Sequence, residues 1–112
     1  WLLRLRNIKV LDKLMVDKPA EYRNLDTAIL NATVLERILN LNLEDKKELT
    51  FSADTEDLIH AADHDSTLAV FFLNPTKVDQ ITAIALRGEK MPPKSTYFYP
   101  KVISGLVVNK HD

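Results

Sequence analysis

The strongest constraint on the fold of this chain is an unbroken apolar run, "LAVFFL", from Leu68 to Leu73. The run is far shorter than the ~20 apolar residues that a membrane-spanning helix requires. It is also too continuous for a strand with one polar face. Because it is rich in β-branched and aromatic residues, it is typical of a strand that is covered on both faces. The run therefore predicts a central strand inside a sheet.

Further strand signals occur in three places. They are "WLLRL" at the start of the chain, "ELTFSA" near the middle and "GLVVN" near the end. Helical signals lie between them, and the clearest is the apolar stripe from Leu25 to Leu39 at helical spacing, with Asn24 as its expected N-cap. This alternation predicts an α/β domain, with α+β as the alternative. The expected architecture is a single domain with a mixed sheet of about four strands layered with helices.

Capping signals define the other expected helices. "IKVLDKLM" predicts a short helix that ends before Pro19, because the residue before proline disfavours helix. Asp54 is placed to cap the helix that follows it. A later helix is expected to begin at a capping box of Thr76 and Asp79 and to end at Gly88, the usual residue for a C-terminal cap.

Composition restricts the function classes. The 112 residues contain 46% apolar and 28% charged side chains, no cysteine, and a net charge of −1, as in a globular domain. Without cysteine there are no disulfides and no thiolate metal sites, which favours a cytoplasmic location. The charge balance argues against nucleic-acid binding by simple charge attraction, and no membrane partner is expected. Because the chain opens on Trp1 rather than Met, we expect residues 1–112 to be a C-terminal domain or a fragment of a longer protein.

The stretch "GEKMPPKSTYFYPK", Gly88 to Lys101, carries the candidate binding residues. It is not a phosphate-binding P-loop, because Pro92 and Pro93, which precede Lys94, have no N–H groups to donate. Its ammonium, hydroxyl and phenol groups suit a phosphate, nucleotide or carboxylate ligand. The predicted ligand-binding residues are Lys94, Ser95, Thr96, Tyr99 and Lys101. In the alternative interpretation, Tyr97, Phe98 and Tyr99 anchor the chain end by packing, and the lysines are solvated.

Two other candidate sites are weaker. His60 and His64 have the i, i+4 spacing of zinc ligands, but the sequence supplies no third ligand, so we predict no metal site. Arg23 is either a surface charge or an anion ligand, and the sequence does not separate the two. No combination of nucleophile, base and orienting group is recognisable, so catalytic residues are not assigned and the chain alone is expected to be inactive.

Three segments resemble a known family. They are "NLDTAILNATVLERIL", "AVFFLNPTKVDQITAIALRGEKMPPKS" and the closing "EKMPPKSTYFYPKVISGLVVN". They are similar to segments of the bacterial and archaeal family called domain of unknown function ten-fifteen. The likeness covers most of the chain from Tyr22 onward and is loosest between Leu41 and Ser66.

The resemblance implies a partner and an activity for the whole protein. That family is longer, and its earlier portion has an Asp-Gly-His-His-Arg motif and resembles ParB-like folds, which include a free-serine kinase. The motif does not occur in this chain. The resemblance therefore implies a C-terminal module that completes a phosphate, nucleotide or small-anion pocket with an N-terminal portion, in a kinase-like phosphotransferase of small molecules. The alternative is a structural or protein-interaction cap with no ligand of its own. No cofactor is assigned.

Overall fold

The structure is a computed structural model that describes residues 1–44 and 48–97. These residues form five short α-helices and one π-helix. The α-helices are α1 (Lys9–Leu14), α2 (Ala20–Arg23), α3 (Asp26–Leu30), α4 (Thr55–His64) and α5 (Val78–Leu86), and the π-helix (Asn31–Ile38) continues α3 directly. Residues 1–44 and 48–97 contain no β-strand.

The predicted mixed sheet, and with it the α/β assignment, is therefore wrong. "WLLRL", "LTF" and the whole run from Leu68 to Leu73 have no regular secondary structure. Leu68 and Phe72 are 51% and 58% exposed, whereas a central strand would bury them. The physical reason is that strand propensity describes residues that fit a pleated surface, but a ladder also requires a partner segment. The predicted strand "GLVVN" lies outside the described residues.

The core lies between helices instead of on a sheet. Leu25 and Ala28 at the start of α3 pack with Ile84 of α5, and all three side chains are buried. Met15, Tyr22 and Met91 pack around this cluster. The long helix predicted from Leu25 to Leu39 thus packs on another helix, because Ile84 of α5 enters the same core.

That long helix is present, with two differences from the prediction. Its N-cap is Leu25 rather than Asn24, and no side chain accepts a hydrogen bond there. Its second half is a π-helix, in which Leu39 N–H donates to the Val34 carbonyl at 2.9 Å. The Thr33 hydroxyl donates to the Ile29 carbonyl at 2.6 Å, in competition with the ordinary α-helical bond at the point where the geometry changes.

Asn40 ends the π-helix with a left-handed backbone, φ 53°. Asparagine tolerates this conformation better than most residues. The change of helical geometry alters which residues face the core. Leu35 is buried, but Ile38 and Leu39 at the end of the helix are 72% and 46% exposed.

The three helices expected from their end signals are present, and the predicted cap at Asp54 is confirmed, whereas the predicted box at Thr76 and Asp79 is wrong. Helix α1 ends at Leu14, and α4 begins after Asp54, whose carboxylate accepts the N–H groups of Glu56 and Asp57. Helix α5 begins one residue later than expected, with Gln80 accepting the N–H of Lys77 at 2.9 Å in place of the predicted Thr76–Asp79 box.

Gly88 closes α5 as predicted. Its φ of +70° is left-handed, Gly88 N–H donates to the Ala85 carbonyl, and Glu89 N–H donates to the Ile84 carbonyl. This pair of bonds is the Schellman motif, which satisfies carbonyls that the helix end would leave without partners. The motif turns the chain back toward the core, where Met91 packs and Pro92 is buried.

Candidate functional site

The loop after α5 forms a tight turn at the predicted anion-binding residues. Ser95 N–H donates to the Pro92 carbonyl at 3.3 Å, which closes a four-residue turn. Pro93 occupies the second position, and Lys94 occupies the third with φ +60°. A proline followed by a left-handed residue is the pattern of a type II turn. Glycine is favoured at that third position, so lysine stands there at a cost in backbone strain.

Two hydroxyl groups hold this turn in place. Ser95 Oγ donates to the Pro92 carbonyl at 2.7 Å, so its proton is committed within the turn. Thr76 Oγ1 donates to the Ser95 carbonyl at 2.7 Å, which ties the turn to the segment before α5. Ser95 therefore stabilises the turn, whereas Lys94 and Thr96 are exposed polar side chains.

The structure brings together only part of the predicted site. Lys94, Ser95 and Thr96 share the turn and its immediate exit, while Tyr99 and Lys101 lie outside the described residues. Tyr97 is 70% exposed, so its ring does not anchor the chain in the core. The role predicted for Phe98 also lies outside the described residues.

Arg23, the other candidate anion ligand, has a carboxylate partner. Its Nη1 lies 2.6 Å from Oδ1 of Asp12, which joins α2 to α1. Both residues line an open concavity of about 200 Å³, together with Ile8, Leu11, Ala20 and Asn24. Pockets for small molecules usually measure about 300–1,000 Å³, so this one is small. The ion pair makes Arg23 a link between helices.

The two histidines of α4 stack on each other. Their ring centroids are 3.9 Å apart, with 21° between the ring planes. Nδ1 of His64 hydrogen-bonds the His60 carbonyl at 2.8 Å, so this nitrogen carries the proton. Among the described residues, no group of three or more side chains could hold a metal ion.

The feature that the sequence interpretation missed is an exposed apolar surface along the run and its neighbours. Leu68, Phe72 and Leu73 are 51%, 58% and 42% exposed. Val78 and Tyr97 are also exposed, and each lies two residues beyond one partner of the Thr76–Ser95 bond. We call Leu68, Phe72, Leu73, Val78 and Tyr97 the apolar surface. The apolar run itself could have indicated this surface, because apolar side chains need to be buried against other atoms whether or not the run pairs as a strand.

The segment that carries this surface is tied at one end to α3. Asn74 Nδ2 donates to Oδ2 of Asp26 at 2.6 Å, immediately after the run. Asp26 is the first residue of α3, where a carboxylate also complements the positive end of the helix dipole. The bond holds the end of the run beside the core, while Leu68, Phe72 and Leu73 stay exposed.

Comparison with known proteins adds no family assignment: no family model, curated protein or solved structure matches this chain. In the part of the chain that the structure describes, no helix has the length and apolar character to cross a bilayer.

Proposed function

We propose that this chain is a protein-interaction module whose apolar surface is covered by another protein surface. One observation carries the proposal: the most apolar run of the sequence exposes Leu68, Phe72 and Leu73. Single exposed apolar residues are common on proteins, but several exposed apolar side chains in one short segment, a phenylalanine among them, are typical of an interface. Such a run, without charge or proline, is also prone to aggregate unless something covers it.

The distribution of burial supports the same function. Among the described residues, five apolar side chains are buried while fifteen large ones are exposed. A module with so small a core gains stability when a partner covers its surface, since binding to the folded state alone favours that state. The partner surface belongs either to an N-terminal portion of the same protein, as the family resemblance implies, or to a separate protein. The cytoplasm is the compartment we propose for this interaction.

Anion binding at Lys94 is the second candidate function. What favours it is the exposed position of Lys94 at the tip of a turn that Pro92 and Pro93 stiffen. What weighs against it is the committed Ser95 hydroxyl. The kinase-like activity and the ParB-like portion remain predictions of the resemblance.

Hydroxyl-radical footprinting tests the interaction proposal. The dilute purified chain is labelled, and the labelling is compared with that of the same chain inside cells of its source organism. We expect Phe72 and Tyr97 to label strongly in dilute solution and several-fold more weakly in cells. Tyr22, which packs against the core, is the internal reference and should label weakly in both. Equal labelling of Phe72 and Tyr97 in the two settings would refute the proposal.

A further inference from the structure

Helix α4 presents an acidic and partly apolar face with little packing beneath it. None of its residues is buried, and Ile59 is 47% exposed. Glu56 and Asp63 lie three residues before and four residues after Ile59, so they flank it on the helix surface. Residues 48–65 contain six carboxylates and no lysine or arginine. We call Glu56, Ile59 and Asp63 the acidic face.

The beginning of the chain has the complementary character. Residues 1–13 contain four basic side chains and one acidic one. The acidic one, Asp12, pairs with Arg23. Leu2 and Leu3 are 93% and 67% exposed, and Arg4 and Arg6 beside them are exposed as well. We call Leu2, Leu3, Arg4 and Arg6 the basic arm.

The two surfaces do not cover each other within one chain. Both are exposed in the same structure, and the ion pairs among the described residues lie elsewhere, at Lys18–Glu89, Arg23–Asp12 and Arg87–Glu21. Opposite charges around exposed apolar side chains are the arrangement by which protein surfaces select each other and fix their register.

We infer that the chain binds a second copy of itself, with the basic arm of each protomer on the acidic face of the other. One chain carries both halves, and in this inference the exchange is reciprocal, which closes a two-fold dimer and leaves neither surface open to add further copies. The inference goes beyond the proposed function, because the dimer contact uses other residues than the apolar surface.

Substitutions that reverse the charge of each surface test the inference. One variant reverses the arm (Arg4→Glu with Arg6→Glu), and another reverses the helix (Glu56→Lys with Asp63→Lys). In the helix variant the two changes have opposing effects on the dipole, since they lie near opposite ends of α4. Circular dichroism of each variant checks that the helices are retained. Sedimentation velocity over a range of protein and salt concentrations measures the dimer.

We expect the unaltered chain to form a dimer that salt weakens, because the attraction is between exposed charges. Each variant alone places like charges opposite each other, so its dimer should weaken by about a hundredfold or more. An equimolar mixture of the two variants restores both pairings and should dimerise. A chain carrying all four substitutions should dimerise for the same reason. Leu3→Ser with Ile59→Ser should weaken the dimer without rescue by mixing.

Three outcomes would overturn the inference. The first is an unaltered chain that is still monomeric at about 1 mM, a concentration at which even weak specific complexes form. The second is a dimer whose stability neither charge reversal changes, and the third is growth into open assemblies in place of a closed dimer. The proposed function stands or falls separately, on the labelling of Phe72 and Tyr97, which lie outside the dimer contact.

Discussion

Arg87 donates hydrogen bonds from both Nε and Nη2 to one carboxylate oxygen of Glu21, at 3.0 and 2.9 Å. Lys18 Nζ lies 3.0 Å from Oε1 of Glu89 at the same junction. The two pairs link the beginning of α2 to the end of α5, on the outside of the core formed by Leu25, Ala28 and Ile84. Segments of the chain that are 66 positions apart at Glu21 and Arg87 are thereby held together by charge as well as by packing.

These ion pairs predict a specific dependence of stability on pH. The pKa of Glu21 is lowered by a hydrogen bond from its own backbone N–H and next by Arg87. The pKa of Glu89 is lowered by the backbone N–H of Lys90 and next by Lys18. Both carboxyl groups are therefore more acidic in the folded chain than in the unfolded chain. Their stabilisation is complete above their ordinary pKa of 4.5 and is lost as the pH falls through the lowered folded values.

We expect the double variant Glu21→Gln with Glu89→Gln to melt at a lower temperature than the original chain at pH 7. The difference should shrink as the pH falls below about 4, where the original carboxylates also become protonated. Thermal unfolding followed by circular dichroism between pH 7 and pH 3 measures this convergence. Two curves that stay parallel over the whole range would show that the pairs do not stabilise the fold.

The core predicts a contrast within α5. Ile84 is fully buried, and Ile84→Ala should lower the free energy of unfolding by about 2–5 kcal/mol through lost burial and a residual cavity. Ile84→Val should cost about 0.5–1.5 kcal/mol. Val78 lies on the same helix but is 69% exposed, so Val78→Ala should change stability by no more than about 0.5 kcal/mol. Urea unfolding of the three variants checks the order, and equal effects at positions 78 and 84 would contradict this core.

The C-terminal cap of α5 predicts the effect of a single methyl group. A Cβ at Gly88 would meet no atom within 4 Å, so Gly88→Ala has no steric clash and tests only the left-handed backbone at φ +70°. It should destabilise the chain by about 1–2 kcal/mol. The control is Lys94→Gly, which relieves a left-handed residue at φ +60° and should stabilise the chain. A gain in stability from Gly88→Ala would show that the cap is not left-handed.

Local signals were the predictable part of this fold. Asp54 and Gly88 specify helix ends through hydrogen bonds that span only a few residues, and the structure shows both. The left-handed residue of the Pro92–Ser95 turn was not foreseen, because lysine is an uncommon choice for that conformation. The π-helical half of the long helix was not foreseen either, since its apolar spacing fits an α-helix equally well.

Contacts between segments that are distant in the sequence could not be predicted. The run from Leu68 to Leu73 predicts that its apolar side chains are buried, and an interior strand is one structure that would bury them. Whether a neighbouring segment provides a ladder depends on the whole chain, and here the described residues form none. The Arg23–Asp12 pair was equally invisible, because a separation of eleven residues across two helices has no fixed spacing signal. Part of the candidate anion site, Tyr99 and Lys101, lies outside the described residues.

The last prediction separates the two roles of the turn at Lys94. Lys94→Gln removes the charge but keeps a long side chain and the same left-handed backbone. If Lys94 binds an anion, this change should weaken binding of ATP or inorganic phosphate to the natural full-length protein by about 1.5–3 kcal/mol, the usual cost of a lost charged hydrogen bond. The melting temperature should barely change, because an exposed charge contributes little to stability. Ser95→Ala is the matched control, since it removes the bond to the Pro92 carbonyl and should lower stability by about 0.5–1.5 kcal/mol with little effect on the anion. Isothermal titration calorimetry and thermal unfolding measure both quantities. If Lys94→Gln leaves anion binding intact while Ser95→Ala and Phe98→Ala destabilise the chain, the turn is a packing element and the anion site is excluded.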